Sequence, residues 1–238
     1  MPVFLPVYER LLHQLGPSSW WPAESPFEVI VGAILTQNTS WKNVEKALTS
    51  LRAATDLQAK QILRLSHEDL AQLIRSSGYF NQKAARLQGF LRWFERFEFS
   101  VDTLRVSAPP EELRRQLLEQ KGIGPETADS ILCYALGLPF FVVDAYSFRL
   151  AERLQLTVPL KYEPFRLAVE SEFRRHFTET DLTAHLNEFH ALIVRHGNTL
   201  CRKREPQCAE CVLGRAKPAK GLTSGLRFRS CRYDARSV

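Results

Sequence analysis

The sequence predicts an all-α protein. Apolar residues recur at helical spacing along most of the chain, no run alternates as a half-buried strand would, and proline, serine, asparagine and glycine stand where helices begin and end. Phe27, Ile30, Val31, Ile34 and Leu35 mark the first helix of this kind. A second starts near Trp41, after the cap candidates Asn38, Thr39 and Ser40, and carries Val44, Leu48 and Leu51. Further helices are predicted over 58–64, 67–76, 80–95 and 110–119, the last opened by Pro109-Pro110. Phe140–Val143 reads as an extended connector. Helices follow over 145–154, 163–176 and 181–197, with Gly197 read as the stop of the last. Residues 202–238 change character, with ten Lys or Arg against three Asp or Glu and few aliphatic residues.

Bulk properties narrow the classes. The chain has 238 residues, 45% hydrophobic and 24% charged, an ordinary composition for a protein with a core. Thirty-two Lys and Arg against 26 Asp and Glu give +6 and a pI near 9.2, which permits a nucleic-acid partner. No run of apolar residues is long enough to span a membrane. The N-terminal MPVFLPVYERLLHQ lacks the marks of a signal peptide, so a cytoplasmic protein is expected. A reducing compartment argues against a disulfide framework for the five cysteines. Three of them crowd into Cys201–Cys211, which suggests a metal site. Cys133 reads as a small buried hydrophobe.

Gln120-Lys121-Gly122-Ile123-Gly124-Pro125-Glu126-Thr127 joins two amphipathic helices. The two glycines suit a tight turn with positive φ and a close backbone approach by a partner. Pro125 suits the first turn of the next helix. Backbone amides at such a start bind anions such as phosphate, gripping a nucleic-acid backbone without reading sequence. An ordinary helix–helix connection would also use Gly-x-Gly.

QKGIGPETADSILCYALGLPFFVVDAYSFRL, residues 120–150, resembles the signature of the helix–hairpin–helix, Gly/Pro-rich, Asp-containing superfamily of DNA glycosylases. ILTQNTSW (34–41), SSGYFNQKA (76–84) and NEFHALIVRHGNTLC (187–201) resemble segments of its endonuclease III family in the same order. The resemblance implies a two-lobed fold. A six-helix barrel lobe at 27–139 ends in the hairpin, and a second helical lobe joins 1–26 to 140–238 and carries the cysteine loop. It implies double-stranded DNA lying across a cleft, a damaged base flipped out, and a monomeric enzyme of base excision repair.

Asp144 stands where the family keeps its catalytic carboxylate. Breaking an N-glycosidic bond builds positive charge on the deoxyribose, and a fixed carboxylate stabilises it and can orient a water. Asp144 is also a good helix N-cap. Bifunctional relatives carry a lysine in a pattern like Gly-x-Gly-Arg-Lys-Thr-Ala, and Glu126 occupies that place here. A carboxylate forms no Schiff base, so the resemblance implies hydrolysis by water without strand cleavage. Glu126 otherwise reads as a first-turn acid favoured by the helix dipole, and Lys121 precedes the hairpin.

Gln37 matches the residue that fills the space left by a flipped base, and Tyr79 matches the wedge beside the estranged partner. Plainer readings are a helix-surface Gln and a core Tyr. Trp20, Trp21 and Trp41 stand where 3-methyladenine glycosylases of the endonuclease III type gather aromatics. Electron-rich rings there hold cationic alkylpurines, although tryptophans also serve simply as core anchors. An alkylated purine such as 3-methyladenine is therefore the expected substrate, ahead of oxidised pyrimidines and of mismatched thymine or uracil. A non-catalytic DNA clamp is the reading from another class.

Cys201-x6-Cys208-x2-Cys211 resembles the first three ligands of the family's 4Fe–4S cluster. The family's fourth position is Lys217 here, which leaves Cys231 as the candidate fourth ligand. Zinc held by cysteines with a histidine such as His196 is the rival.

Overall fold

The computed structural model describes residues 3–18 and 23–214, and every regular element among them is helical. In chain order the helices are α1 (Leu5–Leu15), α2 (Pro26–Leu35), α3 (Trp41–Thr55), α4 (Ala59–Arg64), α5 (His67–Leu73), α6 (Phe80–Phe94), α7 (Val101–Val106) and α8 (Pro110–Leu118). They continue with α9 (Pro125–Ser130), α10 (Ala145–Leu154), α11 (Tyr162–Arg174) and α12 (Glu179–Thr199). None of the helices of the described residues is long and apolar enough to cross a membrane. The chain divides into two compact units, Trp21–Leu138 and Met1–Trp20 with Pro139–Val238. Trp20, Trp21, Cys231 and the basic tail from residue 215 lie outside the described residues.

In the 21–138 unit, α2 is apolar apart from Glu28, as suits an element at the centre of a core. Its Ile30, Val31, Ile34 and Leu35 are fully buried. It packs against α3, α6, α9 and the turn that follows α9. Ser25 caps its first turn, and Ser66 and Ser100 do the same for α5 and α7. Helix α5 stops at Leu73, short of the predicted residue 76. A tight turn at Arg75–Ser77 follows it, and then Gly78 at φ 69° and Tyr79 at φ 47°. Helix α9 widens after Ser130, where the amide of Leu136 reaches back to the carbonyl of Ile131. Cys133 is buried in that wide turn. Arg114 of α8 meets Asp129 of α9 through two buried hydrogen bonds of 2.6 and 3.1 Å, fixing the two helices of the hairpin.

The other unit has an aromatic core of Phe4, Tyr8, Phe141, Phe165, Phe173 and Phe189. Burying side chains of this size contributes about 1.5–3 kcal/mol each. Its connector, residues 140–143, belongs to no helix and is buried, held by Glu170, which accepts from the amide of Phe141 at 2.9 Å. Arg166 donates to both oxygens of Glu170 at 2.9 Å. Burial nevertheless pushes the Glu170 carboxyl upward, with Arg166 and the Phe141 amide acting against it.

Gly197 does not stop α12, which runs to Thr199. The Tyr146 ring occupies the space a Cβ would take there, so the glycine serves a close approach between α10 and α12.

Candidate active site

The hairpin between α8 and α9 departs from expectation at one glycine. Gly122 lies at φ 85°, and a Cβ there would overlap the Arg86 side chain. Gly124 is extended at φ −93°, and a Cβ on it would meet open space. Only Gly122 therefore needs glycine for its backbone. At Gly124 the missing side chain leaves room for something outside the protein. Ile123 is buried, while Lys121 and Glu126 are exposed.

Gln37 is tied to the hairpin. Its amide donates to the carbonyl of Gly122 and to Thr127 Oγ1, both at 3.0 Å, and its Oε1 accepts from Arg86. Tyr79 is 66% exposed, which overturns the core reading and leaves the ring available to a partner. Behind both turns lies Lys83, a buried side chain that the sequence reading passed over. Its Nζ donates to the carbonyls of Leu35 at 2.8 Å and Ser77 at 2.6 Å.

Asp144 is the N-cap of α10 in a reciprocal box. Its Oδ1 accepts from the amide and the hydroxyl of Ser147 at 2.8 and 3.0 Å. Capping thus engages one carboxylate oxygen. The other, Oδ2, lies 3.4 Å from Nε2 of buried His190 on α12. Burial alone would lift the Asp144 carboxyl, but His190 together with Ser147 outweighs it and holds the group below its ordinary value. The carboxylate is therefore ionised at neutral pH, as charge stabilisation requires. A histidine on an apolar helix face reads as core, and no local pattern links it to a residue so distant in sequence.

Trp41, half-buried at the start of α3, lines an open cavity of about 380 Å³ together with Glu24, Glu28, Glu45, Leu48 and Arg52. Arg52 pairs with Glu28 at 2.8 Å and Glu24 at 3.4 Å. The lining carries more negative than positive charge, in a protein with an overall basic excess.

Cys201, Cys208 and Cys211 line one small cavity with Arg153, Leu200, Pro206 and Gly214. Arg153 donates to the Cys201 sulfur at 3.0 Å and to the carbonyl of Arg202 at 2.8 Å. Cys211 Sγ is 3.7 Å from Nε2 of buried His196, whose pKa is lowered to about 4 by burial and by Arg149 and Arg153. Among the described residues no three His, Cys, Asp or Glu groups converge closely enough to hold a metal ion. Cys231, the candidate fourth ligand, lies outside the described residues.

Residues 31–175 match the family model described as HhH-GPD superfamily base excision DNA repair protein. A candidate DNA repair glycosylase of Methanocaldococcus jannaschii is 41% identical over 209 residues, covering 87% of this chain and 92% of its own. Endonuclease III of Escherichia coli is 27% identical over 199 residues, covering 79% and 82%. The crystal structure of H. pylori 3-methyladenine DNA glycosylase bound to 1,N6-ethenoadenine has a TM-score of 0.70 at 30% identity. It covers 82% of this chain and 95% of that one. A thermostable thymine-DNA glycosylase shares the fold with a TM-score of 0.71 at 17% identity.

The Asp144–His190 contact predicts a pH signature. With the carboxyl held low, single-turnover base release should stay level through neutral pH and fall only below the ordinary carboxylate range. The stability that this ionised group contributes is fully present above its unfolded pKa and is lost as pH falls through the lowered folded one. His190→Phe removes the favourable partner and leaves burial to dominate, so the acid limb should move to higher pH. An unchanged acid limb in a folded His190→Phe protein would show that His190 does not set the ionisation of Asp144.

Proposed function

Because the chain belongs to the HhH-GPD superfamily of base excision DNA repair proteins, we propose that this DNA glycosylase hydrolyses the bond between deoxyribose and a flipped-out alkylated purine such as 3-methyladenine. The observation that carries the reading is Asp144. One oxygen of a buried, ionised carboxylate is fixed by Ser147, and the other faces His190. As the glycosidic bond stretches, positive charge grows on the sugar, and a carboxylate already oriented stabilises it without reorganising. The attacking water loses its proton to that carboxylate, and the base leaves with the bonding electron pair. The partner is double-stranded DNA holding the damaged base. The hairpin grips phosphates through its backbone, Gln37 fills the space vacated by the base, and Tyr79 wedges in beside the estranged partner base.

Three features support an alkylated purine. The chain is similar to a 3-methyladenine glycosylase along most of its length. Trp41 borders a cavity lined by Glu24, Glu28 and Glu45, an indole and carboxylates that suit a cationic base. Trp20 and Trp21, read from the sequence as aromatics that hold the base, lie outside the described residues. Such a base is also a good leaving group, so Asp144 needs no strong acid beside it. Glu126 at the start of α9, in place of a lysine, supports an enzyme that leaves an abasic site intact.

A 4Fe–4S cluster is proposed at Cys201, Cys208, Cys211 and Cys231. When bound, it would supply a structural staple for a loop poor in apolar residues. Arg153 and Arg149 hold the start of that loop by its carbonyls, which would keep Arg202, Lys203 and Arg204 near phosphate.

Methylated, thymine-glycol and mismatch duplexes, incubated with the enzyme and scored by the free base released, test the substrate. Methylated purine should be the product. Asp144→Asn should give none, and Trp41→Ala should lose stacking of about 1–3 kcal/mol. Release of thymine glycol or mismatched thymine instead would overturn the assignment.

Borohydride should trap little protein on DNA, and the product strand should stay whole until alkali is added. A strong adduct that vanishes on changing one lysine would establish a lyase.

Anaerobically purified protein should hold about four irons and about four sulfides per chain, and Cys231→Ala should make the colour labile. One zinc and no sulfide would discard the cluster.

A further inference from the structure

We propose that Lys83 is a positioning residue that locks the Gln37 turn and the Tyr79 turn into one rigid element, so that both enter the duplex together. The inference rests on the reading of Gln37 and Tyr79 as the DNA-inserting residues and adds the part that makes them act as a pair.

Lys83 is 1% exposed, an extreme burial for an ammonium group, which is costly to remove from water. It is held by two backbone oxygens. The carbonyl of Leu35 closes α2 two residues before Gln37, and the carbonyl of Ser77 closes the tight turn two residues before Tyr79. Both are helix-end carbonyls, which carry partial negative charge and otherwise want partners. The backbone amide of Lys83 bonds the carbonyl of Tyr79 at 3.0 Å, so one residue holds the second turn at both of its sides. One helical turn later, Arg86 bonds Oε1 of Gln37 and packs against Gly122. The first turns of α6 thus reach all three segments assigned to DNA. Gly78 and Tyr79 both sit at positive φ, a conformation that local preference does not hold by itself. Burial and the nearby Arg86 lower the Lys83 pKa to about 8, consistent with a cation kept in place by carbonyl dipoles alone.

The test compares wild type, Lys83→Met and Lys83→Arg. Methionine fills the same channel without a donor, and arginine restores one. Thermal midpoints establish that each variant is folded. Hydrogen exchange is followed in segments 36–40 and 77–80, with 44–51 of α3 as the internal reference. Lys83→Met should speed exchange at least about tenfold in both turns and leave α3 unchanged, and Lys83→Arg should recover part of the protection. The DNA arm uses a duplex with a tetrahydrofuran abasic analogue opposite 2-aminopurine, whose emission reports the stacking of the estranged base. Lys83→Met should bind within about threefold of wild type, because the phosphate contacts that supply most affinity are intact. It should lose most of the emission change that wild type shows. Wild-type exchange in both turns, or loosening of only one, overturns the lock. Loosening of both turns with a full emission change overturns its role in insertion. If Gln37→Ala combined with Tyr79→Ala leaves the emission change intact, the insertion reading itself fails, while the exchange result still decides whether Lys83 joins the turns.

Discussion

A helix leaves amides and carbonyls without partners at its ends, and a chain built from short helices meets this cost many times over. The described residues answer it with buried or partly buried charges aimed at backbone. Glu172 accepts from the amides of Val3, Phe4 and Leu5 at the start of α1, at 2.7–2.9 Å. Lys83 takes the carbonyls of Leu35 and Ser77. Arg149 takes those of Gly197 and Cys201, and Arg153 those of Arg202 and Lys203. Asp144 caps α10. A buried charge is retained only where it is satisfied. Each of these therefore fixes the segment it bonds.

Helix α10 shows the consequence. Its first residue position is set by Asp144, whose second oxygen faces His190, and its later turns carry Arg149 and Arg153 into the cysteine loop. The close approach of α10 and α12 at Gly197 and Tyr146 lets one helix carry the carboxylate and anchor that loop, while α12 brings His190 to the same carboxylate. The geometry of the acid group thus depends on packing along the helix as well as on its own cap.

Much of this was legible in the sequence. The all-α class followed from helical spacing, and the limits of α10 from Asp144 as cap and the apolar period behind it. The hairpin was visible from its glycines, although only Gly122 needs positive φ. Helix α7 was missed because six residues with one buried leucine show no period. Helix α1 was missed because Pro6 in its first turn obscured the stripe of Val7, Tyr8 and Leu11. Among the candidate site residues, Asp144 and Gln37 could be named from motifs. Lys83 and His190 could not, since a lysine inside a helix reads as solvated and a histidine on an apolar face as core.

What the sequence determined by itself was therefore local: helical periods, caps, a glycine-bearing turn, the spacing of three cysteines and the absence of a lysine at position 126. Each of these depends on residues a few positions apart. What only the tertiary structure decided was which distant groups meet. Lys83 spans 48 residues to Leu35, Gln37 spans 85 to Gly122, and His190 lies across a helix–helix contact from Asp144. Such meetings depend on how apolar faces pack, and the ionisation of a buried group depends on the neighbours that packing delivers.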